Sequence, residues 1–207
     1  MSRFRGIILE GYSNAGKTSV LKSLKQLQAC DEAERSVIIL SEHYSQVLYK
    51  VNDELKWLSR EEHLRLLNER VMMLKKLNNW AKEISQSSPR SKGLFFILER
   101  FHLNHRVAFS HHISDEIKQL EAELFGMGAR CTLLTVSSNN IERRISSRNP
   151  DEWVGKTTKE MKVACDLLLE QQQEYRNQAE NSIIPTFEIN TDDKDWESYA
   201  KQIYFLN

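Results

Sequence analysis

The stretch Gly11-Tyr12-Ser13-Asn14-Ala15-Gly16-Lys17-Thr18 decides how this chain is read. A glycine, four residues and then Gly-Lys-Thr form a phosphate-binding loop, and each position has a physical reason. Gly11 and Gly16 accept backbone conformations that a side chain blocks, so successive N–H groups can turn inward on a phosphate. Lys17 brings a positive charge to the outer phosphates, and the Thr18 hydroxyl is placed to ligate Mg²⁺. Ser13, Asn14, Ala15 and Ser19 complete the candidate nucleotide-binding set. The apolar run Ile7-Ile8-Leu9 before the loop reads as a buried strand. Thr18 to Leu27, with Val20, Leu21, Leu24 and Leu27 on one face, reads as a helix. Strand, loop and helix are what the motif needs, because a helix N-terminus adds partial positive charge. The ligand this predicts is a nucleoside triphosphate.

Outward from the loop, short apolar runs alternate with longer helical patterns, the signature of βαβ units and a parallel sheet. Candidate strands are Gly6–Glu10, Val37–Ser41, Leu94–Leu98, Cys131–Val136 and Ile183–Ile189. Leu64, Leu67, Val71, Leu74, Leu77, Ala81 and Ile84 recur at three- and four-residue steps, which predicts an amphipathic helix. Leu66, Met73 and Trp80 form a second stripe on it. Core packing within one subunit is the favoured account of that stripe; a homodimer through helix 60–84 is the other.

With 207 residues, the chain has room for one α/β domain with a sizeable core. Lys+Arg and Asp+Glu are equal at 29, the formal net charge is zero and the sequence pI is near 7.0, so neither nucleic acid nor an anionic membrane is expected as partner. Cys30, Cys131 and Cys165 are far apart and read as reduced thiols in a cytoplasmic protein. No apolar run is long enough for a membrane span. The amino terminus enters the first strand almost at once, which leaves no targeting segment to expect.

Ligands of open parallel sheets lie at the carboxyl ends of the strands. The second strand ends in Ser41-Glu42-His43-Tyr44 and the third in Leu98-Glu99-Arg100. Two carboxylates and a guanidinium therefore converge on the loop. One carboxylate suits proton acceptance from an attacking hydroxyl, and Glu99 suits a water-mediated hold on Mg²⁺. Arg100 suits phosphate charge or acceptor orientation. A structural ion pair is the alternative use of either glutamate.

Ile8-Leu9-Glu10-Gly11 running into Gly16-Lys17-Thr18 resembles the opening of the thymidylate kinase and deoxynucleoside kinase superfamily. Phe96-Ile97-Leu98-Glu99-Arg100 resembles its Glu-Arg-Ser or Asp-Arg-Tyr stretch, with Arg106 and Phe109 at the deoxynucleoside kinase offsets. Glu42 stands where those kinases carry the glutamate proposed as general base. Phe101, His105 and His43 depart from the family pattern, at the Ser, a base-recognising Asp and a Pro respectively. The resemblance implies a three-layer α/β/α P-loop NTPase fold, with a five-stranded parallel sheet and flanking helices. It also implies one kinase-like domain over residues 1–207 and an arginine lid at about 141–158. Arg144 and Arg148 in Arg143-Arg144-Ile145-Ser146-Ser147-Arg148 share a helical face and would neutralise charge on the transferring group. Pro150 and Gly155 are expected to end that helix in a mobile stretch. Asn190-Thr191-Asp192-Asp193, after the fifth strand, would pack on adenine.

The implied activity is transfer of the γ-phosphoryl of ATP, with Mg²⁺, to a nucleoside or nucleoside monophosphate. Lys17, Glu42, Glu99, Arg100, Arg144 and Arg148 are the catalytic candidates; Glu42, Tyr44, Arg100, His105 and Arg106 are the acceptor-binding ones. The alternatives are a kinase of a sugar or antibiotic hydroxyl and a non-catalytic nucleotide-binding module. A guanine-specific switch would be expected to show Asn-Lys-x-Asp, and the chain contains none. His102, His105, His111 and His112 cluster, but no Cys or acidic ligand completes a metal set at familiar spacing.

Overall fold

The computed structural model describes residues 4–30, 36–51, 54–87, 93–112, 114–148 and 150–205. The side chains of residues 44, 48–51, 54–55, 84–87, 148 and 152 lie outside that description. Strand β1 (Phe4–Glu10) runs into the phosphate loop and helix α1 (Lys17–Cys30). Next come β2 (Ser36–Leu40), a 3-10 turn (Glu42–Tyr44), and the strands β3 (Leu48–Val51) and β4 (Glu54–Trp57). Helix α2 (Arg60–Ser87), β5 (Leu94–Glu99), α3 (His102–Ala108), α4 (Asp115–Gly126) and β6 (Ala129–Thr135) follow. The chain closes with α5 (Ser138–Arg148), α6 (Pro150–Trp153), α7 (Thr158–Glu180), β7 (Thr186–Asn190) and α8 (Trp196–Phe205).

The main sheet has five parallel strands in the order β2-β5-β1-β6-β7. β1 and β5 are buried along almost their whole length, as strands covered on both faces must be. Their runs Gly6-Ile7-Ile8-Leu9 and Leu94-Phe95-Phe96-Ile97-Leu98 are apolar for that reason. The β1–β5 register sets Leu9 beside Glu99, and the β2–β5 register sets Leu40 beside Leu98. The phosphate loop, Glu42 and Glu99 therefore leave the sheet at one edge. β1 is central, and its neighbours β5 and β6 belong to opposite halves of the strand order. That is the switch point where doubly wound sheets open a crevice.

The five expected strands and their parallel order are present, with boundaries moved by one to three residues. β7 begins at Thr186 rather than Ile183 because Pro185 has no N–H to give the ladder. The antiparallel pair β3–β4 was not expected. The expected helix at 64–84 is longer, and its two stripes separate. Leu67, Val71 and Leu74 are buried, whereas Met73 and Trp80 are exposed. Leu66 joins the core from its edge.

The stretch after β6 also differs from expectation. Pro150 starts helix α6 rather than a loop, and α7 opens with a complete capping box between Thr157 and Glu160. No helix among the described residues is long and apolar enough to cross a membrane.

Candidate functional site

The loop takes the backbone its glycines allow. Gly11 has φ 134° and Gly16 φ 95°, and Asn14 joins them at φ 75°. At Gly16 there is a second constraint, since a Cβ there would sit 2.6 Å from the Trp196 ring. Lys17 is buried, and its ammonium donates to the carbonyls of Gly11 at 2.8 Å and Tyr12 at 2.9 Å. Burial, then the nearby positive charge of Arg100, pulls its pKa down to about 7. Glu42, Glu99 and Glu10 pull the other way. Anionic phosphates arriving at the loop would restore the charge.

The strand-end groups meet as the register requires. Arg100 Nε lies 2.7 Å from Glu42 Oε2, and Arg100 Nη2 donates to Ser13 Oγ at 3.1 Å. The Glu42 N–H points at Glu99 Oε2 at 3.4 Å. Glu99 is almost wholly buried, and burial followed by the Glu42 charge raises its pKa. Its Oε1 has no hydrogen-bond partner among the described residues. Arg100 sits at φ 53°, an uncommon conformation for a side-chain-bearing residue, while its N–H continues the ladder to Leu9 O at 3.0 Å. The ion pair considered from the sequence is thus present, and both of its members line the cleft.

That cleft holds about 420 Å³ and is lined by Asn14, Gly16, Lys17, Thr18 and Ser19 on one side. Glu42, Arg100, Arg144, Ser147, Lys194 and Trp196 complete its lining. Arg144 is largely buried; its guanidinium donates to Thr191 O and lies 5.3 Å from the centre of the Trp196 ring. Thr191 is wholly buried, and its hydroxyl lies within hydrogen-bonding reach of two carbonyls, Ala15 O at 2.9 Å and Thr135 O at 3.0 Å. The loop after β7 therefore braces the back of the phosphate loop, and Arg144 ties α5 to that brace. Arg144 is held in that brace, and the side chain of Arg148, the other lid candidate, is outside the description.

Glu10 is fully buried directly before the loop. It accepts from the N–H groups of Phe101 at 2.8 Å and Leu103 at 3.0 Å. It thereby caps α3 from a different strand, and burial pushes its pKa up to about 7 against those hydrogen bonds.

Two of the expected acceptor-binding residues are engaged elsewhere, outside the residues that line the cleft. Arg106 is 2% exposed and makes a two-pronged pair with Glu121 of α4, at 2.5 and 2.9 Å. His105 is buried, 3.0 Å from His63 of α2 through their Nδ1 atoms, with the two rings stacked at 5.1 Å. His63 Nε2 lies 2.7 Å from Ser45 O, and Ser45 Oγ donates to Glu99 O at 2.5 Å. These residues form a packed wall of α2 and α3 behind β5. The side chain of Tyr44 lies outside the description. Sequence reading placed the 190–193 stretch against adenine without giving Thr191 a bracing role, and it did not find Trp196 or Lys194, because no motif marks them.

A bound Mg²⁺ would find a hydroxyl at Thr18 and a carboxylate at Glu42 in the same cleft, with the unpartnered Glu99 oxygen near Glu42. Mg²⁺ keeps several waters and takes one or two protein ligands beside phosphate oxygens, so this sparse set fits it. No group of three or more His, Cys, Asp or Glu suited to a metal occurs among the described residues.

Sheet order, switch point and loop together define a phosphate-loop α/β fold. No family model matches the chain, and no curated protein matches it in sequence. Solved structures share its fold. The YorR protein of Bacillus subtilis, in complex with phosphorylated GDP, is 19% identical with a TM-score of 0.60, over 97% of this chain and 94% of that one. APE1195 is 15% identical with a TM-score of 0.52, over 100% and 95% of the two chains.

Proposed function

We propose that this chain is a phosphotransferase that moves the γ-phosphoryl group of ATP to a nucleoside or nucleoside monophosphate. The observation that carries the reading is the cleft itself, where the phosphate loop, Glu42 and Arg100 line one open space and Arg100 reaches the loop at Ser13. A passive nucleotide-binding module has no need of a carboxylate and a guanidinium beside the phosphate loop. The loop N–H groups and Lys17 hold the β- and γ-phosphates, and Arg100 stabilises charge that builds on the transferring group. Glu42 is the carboxylate that reaches the open cleft, and it takes the proton of an acceptor hydroxyl. Glu99, beneath it, orients Glu42 through its backbone N–H. Mg²⁺, held from Thr18 and its neighbours, would supply neutralisation of the phosphate charge. A monophosphate acceptor would need no base, since its oxygen is already ionised.

Trp196 and Arg144 offer a stacking surface for the donor base beside Gly16. YorR was solved with phosphorylated GDP, which makes guanine nucleotides the first alternatives to test as donor and as acceptor. The deciding experiment is transfer of label from γ-labelled ATP and GTP to a panel of nucleosides, nucleoside monophosphates and sugars. Transfer to a nucleoside or its monophosphate, abolished by Lys17→Ala, is the expected result. Transfer to sugars alone would move the acceptor class. Tight ATP binding without transfer to anything would overturn the reading in favour of a binding module.

A further inference from the structure

The imidazoles of His63 and His105 are buried beside the cleft without lining it, and the reaction proposed above uses neither. Their partners dictate which way their hydrogen bonds run. Ser45 O is a carbonyl and can only accept, so His63 Nε2, 2.7 Å away, carries the proton. Burial pulls the pKa of His63 down to about 4, so the ring is neutral and its Nδ1 is a bare acceptor. His105 Nδ1, 3.0 Å from it, therefore donates. One line of donors runs from His105 through His63 to the backbone of Ser45. Phe109 packs on both rings, its centre 6.2 Å from that of His63 and 5.0 Å from that of His105.

That line ends where the cleft needs support. Glu42 follows β2, an edge strand, on a short 3-10 turn whose N-cap Ser41 makes no side-chain cap bond. The Glu42 N–H reaches Glu99 Oε2 only at 3.4 Å. Firmer bonds come just after it. The N–H groups of Ser45 and Gln46 return to Glu42 O at 3.1 and 2.8 Å. Ser45 Oγ donates to Glu99 O on β5, and Ser45 O accepts from His63 on α2. Strand β5 and helix α2 thus hold one serine, and that serine holds the glutamate. Packing alone would be served by apolar side chains, which bury no ring nitrogens. What the imidazole adds is a bond with a direction.

We propose that His63 is a positioning residue for Glu42: acting through Ser45 O, it fixes the turn that sets the carboxylate in the cleft, and His105 holds it in the Nε2–H tautomer. The role rests on the reading of Glu42 as the group that accepts the acceptor's proton. A base displaced by about 1 Å can lose about 100-fold in rate, so a bond to the turn is felt in catalysis before it is felt in nucleotide binding.

Gln and Asn at position 63 separate the donor from mere polarity. Gln places its amide N–H where His63 Nε2 stands, whereas Asn, one carbon shorter, leaves Ser45 O without a donor. In label transfer from γ-labelled ATP to the acceptor that the wild type uses, His63→Asn should lower kcat at least about tenfold with KM for ATP held within about twofold. His63→Gln should return kcat to within about threefold of wild type. Backbone hydrogen exchange reads the same clamp without any activity. His63→Asn should speed exchange at Ser45 and Gln46 by about tenfold over His63→Gln, with β1 and β5 unchanged. Long-range ¹H–¹⁵N spectra of the wild type, which need no variant to fold, should show His63 as Nε2–H and His105 as Nδ1–H. His63 found as Nδ1–H overturns the proposal. So does equal kcat in the two variants, or exchange that rises through β1 and β5 alike. A wild type that transfers no label overturns the reaction, and exchange and tautomer then decide the clamp by themselves.

Discussion

The phosphate loop and the wall of α2 and α3 behind Glu99 are both polar regions close to the same strand ends, yet they are built in opposite ways. Around the loop, charged groups keep a side on open space even where they are paired: Lys17, Arg100, Glu42 and Arg144 all line the cleft. In the wall, charges and rings face one another. Arg106 is spent on Glu121, and His63 on His105. The contrast shows that a polar residue near a site is not thereby part of it. What separates the two is whether the fold leaves the group a free direction.

Breaking one partner of the Arg106–Glu121 pair should produce the largest effect on stability. Arg106→Leu leaves the Glu121 carboxylate buried without its counter-charge, a change that typically costs about 3–5 kcal/mol. Urea unfolding should show that loss, whereas ATP affinity of the folded fraction should hold. A large selective loss of acceptor binding would instead place Arg106 in the site.

The wall also predicts the acid response. Burial pulls His63 and His102 down to about 4 and His105 to about 3, against 6.5 for a free ring. Between pH 6.5 and about 4 the unfolded chain therefore binds protons that the folded chain refuses, and stability falls as the pH falls. Glu10 acts in the opposite sense, since it holds a proton up to about pH 7 in the fold but only to 4.5 when free. Glu99, also raised, acts with Glu10, but three rings outweigh two carboxyls, so urea midpoints should drop from pH 6.5 to 4.5. His102 makes no hydrogen bond among the described residues and lies 3.8 Å from Glu10. His102→Leu should raise stability by about 1 kcal/mol and flatten the acid slope by one proton. An unchanged slope would show that the ring is not held neutral.

On the loop side the expected changes concern binding. Trp196→Ala should weaken ATP roughly tenfold in equilibrium titration, by loss of a stacking face, with little change for free triphosphate. Equal losses for both ligands would make Trp196 a brace for Gly16 rather than a base platform. The smallest effect is protonic. With its pKa near 7, Lys17 is mostly neutral at pH 8 and should take up a proton when phosphates bind. Calorimetry in buffers of different ionisation enthalpy should report a fractional uptake at pH 8 that fades below pH 6.

Much of the fold was legible because it rests on local signals. Ile7-Ile8-Leu9 and Phe95-Phe96-Ile97 are uniformly apolar, as strands buried on both faces must be, and the glycine spacing marks the turn into α1. The convergence of Glu42, Glu99 and Arg100 was legible too, because strand ends in a parallel sheet share an edge. Thr191 and Trp196 gave no such signal. Each owes its place to a contact across the sheet order, with Ala15 and Gly16 respectively, and nothing in the neighbouring sequence encodes it. Arg144 and Arg106 looked alike as basic residues on helices, yet one lines the cleft and the other is locked to Glu121.

The sequence by itself determined that a phosphate loop sits between a buried strand and a helix, since that follows from glycine sterics and apolar periodicity within some twenty residues. Only the tertiary structure decided which polar side chains remain available. Availability depends on partners brought from distant elements, through packing that no short-range pattern records.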